Sequence, residues 1–225
     1  YLFYSNEIET RLRTHMALET HLRNALTDNV FEVFYQPKVD ARTSRIVGAE
    51  ALVRWRNNGE LVFPDVFIPL AEETGLIIPL GKLILQKACT QAKIWADQGL
   101  QLQVAINVSA VQFNDEFVQT VADILALTGA NAQQIELEIT ESLLVNDVNA
   151  STIMHELRQL GVRIALDDFG TGYSSLSYLK RFPLDVLKID QSFVRNMLDD
   201  EVDISIIKAI IQMAAGLKLR LIAEG

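Results

Sequence analysis

The stretch Val162-Arg163-Ile164-Ala165-Leu166-Asp167-Asp168-Phe169-Gly170-Thr171-Gly172-Tyr173-Ser174-Ser175-Leu176 decides how this chain is read. Val162, Ile164 and Leu166 alternate with Arg163 and Ala165, the period-2 pattern of a strand. Two adjacent acids and a loop rich in glycine and hydroxyls follow at once. Neighbouring side chains in a strand point to opposite faces, so Asp167 and Asp168 can share a site only where the strand ends and the backbone bends. Gly170 and Gly172 permit that bend. Two carboxylates this close repel unless a proton or a cation lies between them, so the pair asks for a divalent metal. A turn or a helix cap is the ordinary alternative for the same residue types, and the run alone leaves both open.

Working outward, strand-like and helix-like segments alternate. Phe31 to Gln36, Val47 to Trp55, Leu102 to Val108, Ile135 to Ile139, Arg163 to Asp167, Val186 to Ile189 and Leu219 to Ala223 read as strands. Amphipathic stretches between them carry helix punctuation, as in Leu76 to Gln98 before Gly99, Asn114 to Thr128 before Gly129, and Val148 to Leu160 before Gly161. This rhythm predicts parallel βα units and an α/β fold. Asn57-Asn58-Gly59 predicts a hairpin after Trp55. Seven strands are read where eight close a βα barrel, so the last βα unit is expected to lie outside this sequence. Residues 1–29 read as a connecting helix ahead of the domain proper, and residues 30–225 as the barrel domain.

Composition narrows the function. With 225 residues, 49% of them hydrophobic, the chain can bury one sizeable core. A formal charge of -9 argues against a nucleic-acid polymer as partner, which needs clustered Lys and Arg. No apolar run is long enough to span a bilayer, so direct membrane contact by this piece is not expected. Cys89 is the sole cysteine, which fits a reducing cytoplasmic setting and a packing role, and excludes thiolate metal sites. His15, His21 and His155 all fall in helix-like segments and are expected to face solvent.

The strands carry polar residues at or near their C-terminal ends: Glu50, Asn107, Glu138, Asp167 with Asp168, Lys188 and Glu224. In a parallel barrel those ends open on one face, where barrel enzymes place their chemistry. Glu50, Asn107, Glu138, Asp167 and Asp168 offer only oxygen, a donor set for Mg²⁺ or Mn²⁺. Five such residues exceed what one partly hydrated ion takes from protein, so two ions are expected, acting on an in-line phosphoryl displacement. Lys188 then stands as a fixed cation beside the attacking water or a phosphate oxygen, and Glu224 as a further ligand or proton acceptor. Arg54, on the Glu50 face of its strand, suits a phosphate grip.

Glu50-Ala51-Leu52-Val53-Arg54-Trp55 resembles the signature of the EAL domain, the bacterial phosphodiesterase family that cleaves cyclic di-GMP. The tripeptide alone carries little weight. Tyr35-Gln36-Pro37, Phe67-Ile68-Pro69-Leu70-Ala71-Glu72, Asn107-Val108-Ser109, Glu138-Ile139-Thr140-Glu141-Ser142, the Leu166 to Leu176 run, Lys188-Ile189-Asp190 and Ala223-Glu224-Gly225 follow in the family's order and spacing.

The resemblance implies a modified TIM (βα)8 barrel with its first strand antiparallel, and hydrolysis of cyclic di-GMP to linear pGpG. It implies metal ligands at Glu50, Asn107, Glu138, Asp167 and Asp168, with Lys188, Glu224 and Glu50 as the catalytic set. It further implies substrate contacts at Gln36, Leu52, Arg54 and Asp190, and Glu141 holding the loop after Asp168. Phe3-Tyr4 and the helix after them are similar to the join between a GGDEF domain and an EAL domain. An upstream GGDEF or sensor domain, an inner-membrane anchor through upstream segments, and homodimers are the partners and setting this implies. A catalytically inactive cyclic di-GMP receptor is the rival within the family, and such members commonly show replaced ligands.

Overall fold

Stretches that alternate between apolar and polar residues become the strands of one sheet, and the amphipathic stretches between them become the helices that cover it. The computed structural model describes residues 6–57, 59–146, 149–170, 176–195 and 201–224, with side chains described except at 6–15, 145–146 and 176–178. In chain order these form α1 (Asn6–Asp28), β1 (Phe31–Val39), β2 (Ile46–Asn57), β3 (Glu60–Val62), α2 (Pro64–Glu73), α3 (Ile77–Asp97), β4 (Gln103–Asn107) and α4 (Asp115–Thr128). A short 3-10 turn, Ala132–Gln134, precedes β5 (Ile135–Thr140), α5 (Glu141–Asn146), α6 (Ala150–Gln159) and β6 (Arg163–Phe169). Then come α7 (Leu176–Arg181), β7 (Val186–Ile189), α8 (Gln191–Arg195), α9 (Glu201–Leu217) and β8 (Arg220–Ala223).

The sheet runs β1-β2-β4-β5-β6-β7-β8, with β3 paired to β2 off that path. β1 is antiparallel to β2, and every later pair on the path is parallel, giving a curled mixed sheet of the barrel type. The reason for the reversed first strand is local. Asp40 accepts from the backbone N–H of Arg42 and Thr43 through Oδ1, closing a tight turn that returns the chain directly into β2. The later strands are instead joined through helices, as parallel neighbours require. β3 returns from β2 with Asn57 opposite Glu60, and Gly59 takes φ +87, a value that suits glycine in a two-residue hairpin turn.

Helix ends follow the local code. Asn114 caps α4 by accepting from the backbone N–H of Glu116, and Gly129 ends it in the left-handed region. The core lies between sheet and helices. Phe31, Trp55 and Phe67 meet there in tilted and edge-on ring contacts, and Leu22 and Ala25 of α1 are buried in the same cluster. Cys89 is fully buried in α3, as packing predicts, while His21 and His155 are exposed.

Several strand boundaries differ from expectation, among them the ends of β1 and β6. β1 runs through Pro37 to Val39 instead of stopping at Gln36, because it bonds to β2 on one side only along the described path and tolerates a residue without a donor. β6 does not end at Asp167. It continues to Phe169 through a shift in register against β7. The expectations for Phe3-Tyr4, Asn58, Val148, the Thr171 to Ser175 loop, Gly225 and the His15 side chain lie outside the described residues.

Candidate functional site

The register shift in β6 shapes the site. Leu166 pairs with Leu187 and Phe169 with Ile189, so Asp167 and Asp168 together face the single residue Lys188. That two-against-one count is the signature of a bulge, which re-aims side chains that would otherwise alternate. Asp168 sits at φ +53, and its backbone N–H donates to Asp167 Oδ1 at 2.9 Å. Asp is among the few residues that enter the left-handed region readily. The bend needed to aim both carboxylates one way is therefore inside the strand. Gly170 follows at φ +103, and a side chain there would meet Phe193 of α8 at 2.8 Å.

Lys188 is the centre of the cluster. Its side chain is 1% exposed, and its ammonium lies 2.6 Å from Glu224 Oε1, 2.8 Å from Glu138 Oε2, 2.9 Å from Asp167 Oδ2 and 3.5 Å from Glu50 Oε2. Asn107 donates through Nδ2 to Glu50 Oε1 at 2.9 Å. Parallel pairing supplies this convergence, because it places Asn107 beside Glu138 and Thr140 beside Asp167 on adjacent strands. The backbone N–H of Glu224 donates to Ile189 O, which fixes Glu224 just past the end of β8.

The loop after Asn107 is pinned too. Ser109 donates through Oγ to Glu72 at 2.6 Å and through its backbone N–H to Gln112 Oε1 at 3.3 Å.

Burial and mutual repulsion shape the charges. Burial pushes Glu138 up to about 7 against the pull of Lys188 and Lys38, and Glu50 and Asp167 add to the rise. Burial works against the charge of Lys188, but Glu138, Asp167 and Glu50 override it and raise the lysine well above its usual range. Asp168 is raised by burial and then by Asp167 and Asp190. Glu224 is raised by burial, against its bond to Lys188.

The donors fit a hard divalent cation. They are oxygens throughout, and Asp167, Asp168 and Glu224 each offer one within 4.8 Å of the others. Lys188 already stands where four carboxylates demand positive charge. The sequence reading places Glu224 mainly with the catalytic residues, yet here its carboxylate stands beside the aspartate pair as a ligand would.

The remaining expected residues lie around this centre. Gln36 pairs with Glu50 across β1 and β2, and Leu52 is half-buried opposite Phe34. Arg54 donates to Val53 O, and its guanidinium stands over the rings of Phe34 and Phe63, 5.8 and 5.1 Å from their centroids. Glu141 is buried in the first turn of α5, directly after β5. Asp190 follows β7 and accepts through Oδ1 from both the backbone N–H and the hydroxyl of Ser192, bonds that hold its carboxyl below the usual range.

Sequence reasoning missed three charged residues, Lys38, Glu136 and Arg220. Lys38 contacts Glu138 and Glu136, and Arg220 contacts Glu136. A signal was present: Lys38 has the parity of Gln36 in β1, and Glu136 that of Glu138 in β5.

Fold and cluster together define a modified βα barrel with an antiparallel first strand and an acidic centre at its strand ends. The chain belongs to the EAL domain family, whose profile matches residues 19–225. It is 40% identical over 225 residues to the cyclic di-GMP phosphodiesterase PdeR of Escherichia coli (strain K12), covering 99% of this chain and 34% of that protein. It is 43% identical over 228 residues to the signaling protein YkoW of Bacillus subtilis (strain 168), covering 100% of this chain and 28% of that protein. The solved structure "PaMucR Phosphodiesterase, c-di-GMP complex" superposes with a TM-score of 0.88 at 40% identity, over 93% of this chain and 86% of that one. The chain spans about a third or less of the length of these curated relatives. Among the described residues, no helix is long and apolar enough to cross a membrane.

Proposed function

We propose that this chain hydrolyses one phosphodiester bond of cyclic di-GMP, giving linear pGpG, in a reaction that depends on two Mg²⁺ or Mn²⁺ ions. The observation that carries the reading is the convergence of Glu50, Glu138, Asp167 and Glu224 on Lys188, with Asn107 and Asp168 attached to the same group. Glu50, Asn107, Glu138, Asp167 and Asp168 hold the metals, with Glu224 adjoining them. Bound Mg²⁺ or Mn²⁺ would polarise the phosphoryl oxygens and make a water nucleophilic near neutral pH.

The chain's own groups do the rest. Lys188 keeps its proton at every working pH and donates a hydrogen bond to the attacking water or to a phosphate oxygen. Glu224, 2.6 Å from that ammonium, takes the proton the water gives up as its oxygen bonds to phosphorus. The bond from phosphorus to the leaving sugar oxygen breaks in line with the attack, that oxygen takes a proton from solvent, and Glu224 returns its own to solvent. Arg54, held by two aromatic rings and one carbonyl, grips a phosphate oxygen without having to reorganise. Gln36, Leu52 and Asp190 contact the nucleotide, and Glu141 steadies the loop after Asp168. Residues 1–29 act as the connection from an upstream GGDEF or sensor domain.

Support comes from a complete donor set and from named phosphodiesterases among the relatives. The test is incubation with cyclic di-GMP and Mg²⁺ or Mn²⁺ while following pGpG. Tight binding without turnover in either metal would replace this reading with that of a receptor.

A further inference from the structure

Beneath the carboxylates that meet Lys188 lies a second set of charges that the proposed reaction leaves unused. Lys38 on β1 reaches across the inside of the sheet to β5, past β2 and β4, and ends 2.6 Å from Glu138 Oε1 and 3.1 Å from Glu136 Oε1. Arg220 on β8 comes from the other flank, past β7 and β6, and donates through Nη2 to Glu136 Oε2 at 3.2 Å. Glu136 thus joins cations from the two ends of the sheet path. Glu138 is held at both oxygens, Oε1 by Lys38 and Oε2 by Lys188. The Glu136 and Glu138 side chains are 2% and 0% exposed, and Lys38 is 13% exposed.

The terminal torsion of a glutamate is broad, so a carboxylate gripped at one oxygen can turn about it. Two ammonium groups from different strands remove that freedom. We propose that Lys38 is a positioning residue for Glu138: it occupies Oε1 and so presents Oε2 to Lys188 and to a divalent cation, while Glu136 and Arg220 hold Lys38 in register. This rests on the reading of Glu138 as a metal ligand. A strut meant only to tie β1 to β5 would be complete with Glu136, yet the shorter of the two Lys38 contacts is the one to Glu138. Partners that orient a metal-ligating carboxylate in this way typically command ~10–100-fold in metal affinity.

The test is Mn²⁺ binding by electron paramagnetic resonance on the whole chain, beside kcat and KM for cyclic di-GMP and thermal midpoints in chelator. Wild type is compared with Lys38→Met, Glu136→Gln and the double variant Lys38→Met/Glu136→Gln. Lys38→Met is expected to weaken Mn²⁺ binding by about 10-fold. It should lower kcat at limiting Mn²⁺ and leave KM for cyclic di-GMP within about twofold, since the substrate contacts lie elsewhere. The double variant removes one charge of each sign, and it gives the same readout if the single variant fails to fold. Glu136→Gln keeps Lys38 on Glu138 and should cost less than about 3-fold, below the range for a direct partner.

Unchanged or tighter Mn²⁺ binding without Lys38, with only the thermal midpoint falling, would make the lysine a scaffold strut and overturn the proposal. Wild type that binds no Mn²⁺ would take down the functional reading together with this one. Wild type that binds, paired with an indifferent Lys38→Met, would take down this one alone.

Discussion

The two ionic clusters inside the sheet share Glu138, yet their charge counts differ. Around Lys188, four carboxylates share one ammonium. In the lower cluster, Lys38 and Arg220 meet Glu136 and one oxygen of Glu138, and the charges come close to balance. A balanced buried cluster can serve as framework, whereas an excess of negative charge calls for cations from outside. Burial of the carboxylates does not separate them, because Glu136 is as hidden as Glu138, although the Arg220 side chain is 53% exposed. What distinguishes the metal-holding cluster from the one that orients it is the uncompensated charge.

The largest test of that contrast is Lys188→Met, which leaves the upper carboxylates with no cation at the centre. Breaking buried pairs of this kind costs roughly 3–5 kcal/mol, so denaturation in chelator should show a loss of that order, with turnover abolished. Added Mn²⁺ should recover more stability in the variant than in wild type, and equal recovery would mean that the centre does not crave cations. Glu50→Ala comes next. Loss of a metal ligand should lower the rate of pGpG formation by at least about 100-fold, the upper end of what outer partners command. A near-normal rate would remove Glu50 from the site.

A subtler test uses pH. Folded Glu138 keeps its proton up to about 7, against an ordinary value of 4.5, and Asp168 and Glu224 shift in the same direction. The folded state therefore binds more protons than the unfolded chain between those values, and stability falls as pH rises through that window. Thermal midpoints in chelator should drop from pH 5 to pH 7.5, and Mn²⁺ should flatten the profile. A flat profile without metal would mean that the upper cluster is already balanced. Cys89 sets the floor of the scale, for it lies outside both clusters and burial pushes its thiol up to about 12. It should resist alkylation at pH 8 with or without metal, as followed by mass spectrometry.

Much of this was legible in the sequence because it is local. The βα rhythm, the hairpin after Trp55 and the helix that stops at Gly129 each follow from a few adjacent residues, and all three elements formed. The polar strand ends were legible because period 2 and parallel pairing bring them to one face. The antiparallel first strand was legible only through family resemblance, since periodicity has no direction. Lys38, Glu136 and Arg220 escaped because their pairing spans strands that are not neighbours, and no spacing rule reaches across a curled sheet. The bulge escaped for a related reason: a second aspartate reads equally well as the start of a loop, and only the register against β7 tells the two apart.

That register has a consequence for how the aspartate pair can change. Two residues of β6 stand against Lys188 because the backbone counts them so, whichever side chains they carry. Substitution at position 167 or 168 can silence one acid but leaves its place open beside the lysine. Closing the place takes a deletion, which would leave one residue against Lys188 and keep Phe169 opposite Ile189, as in a ladder without a bulge. Point mutation can therefore switch this pair off and back on, while deletion would remove the bulge that makes room for it.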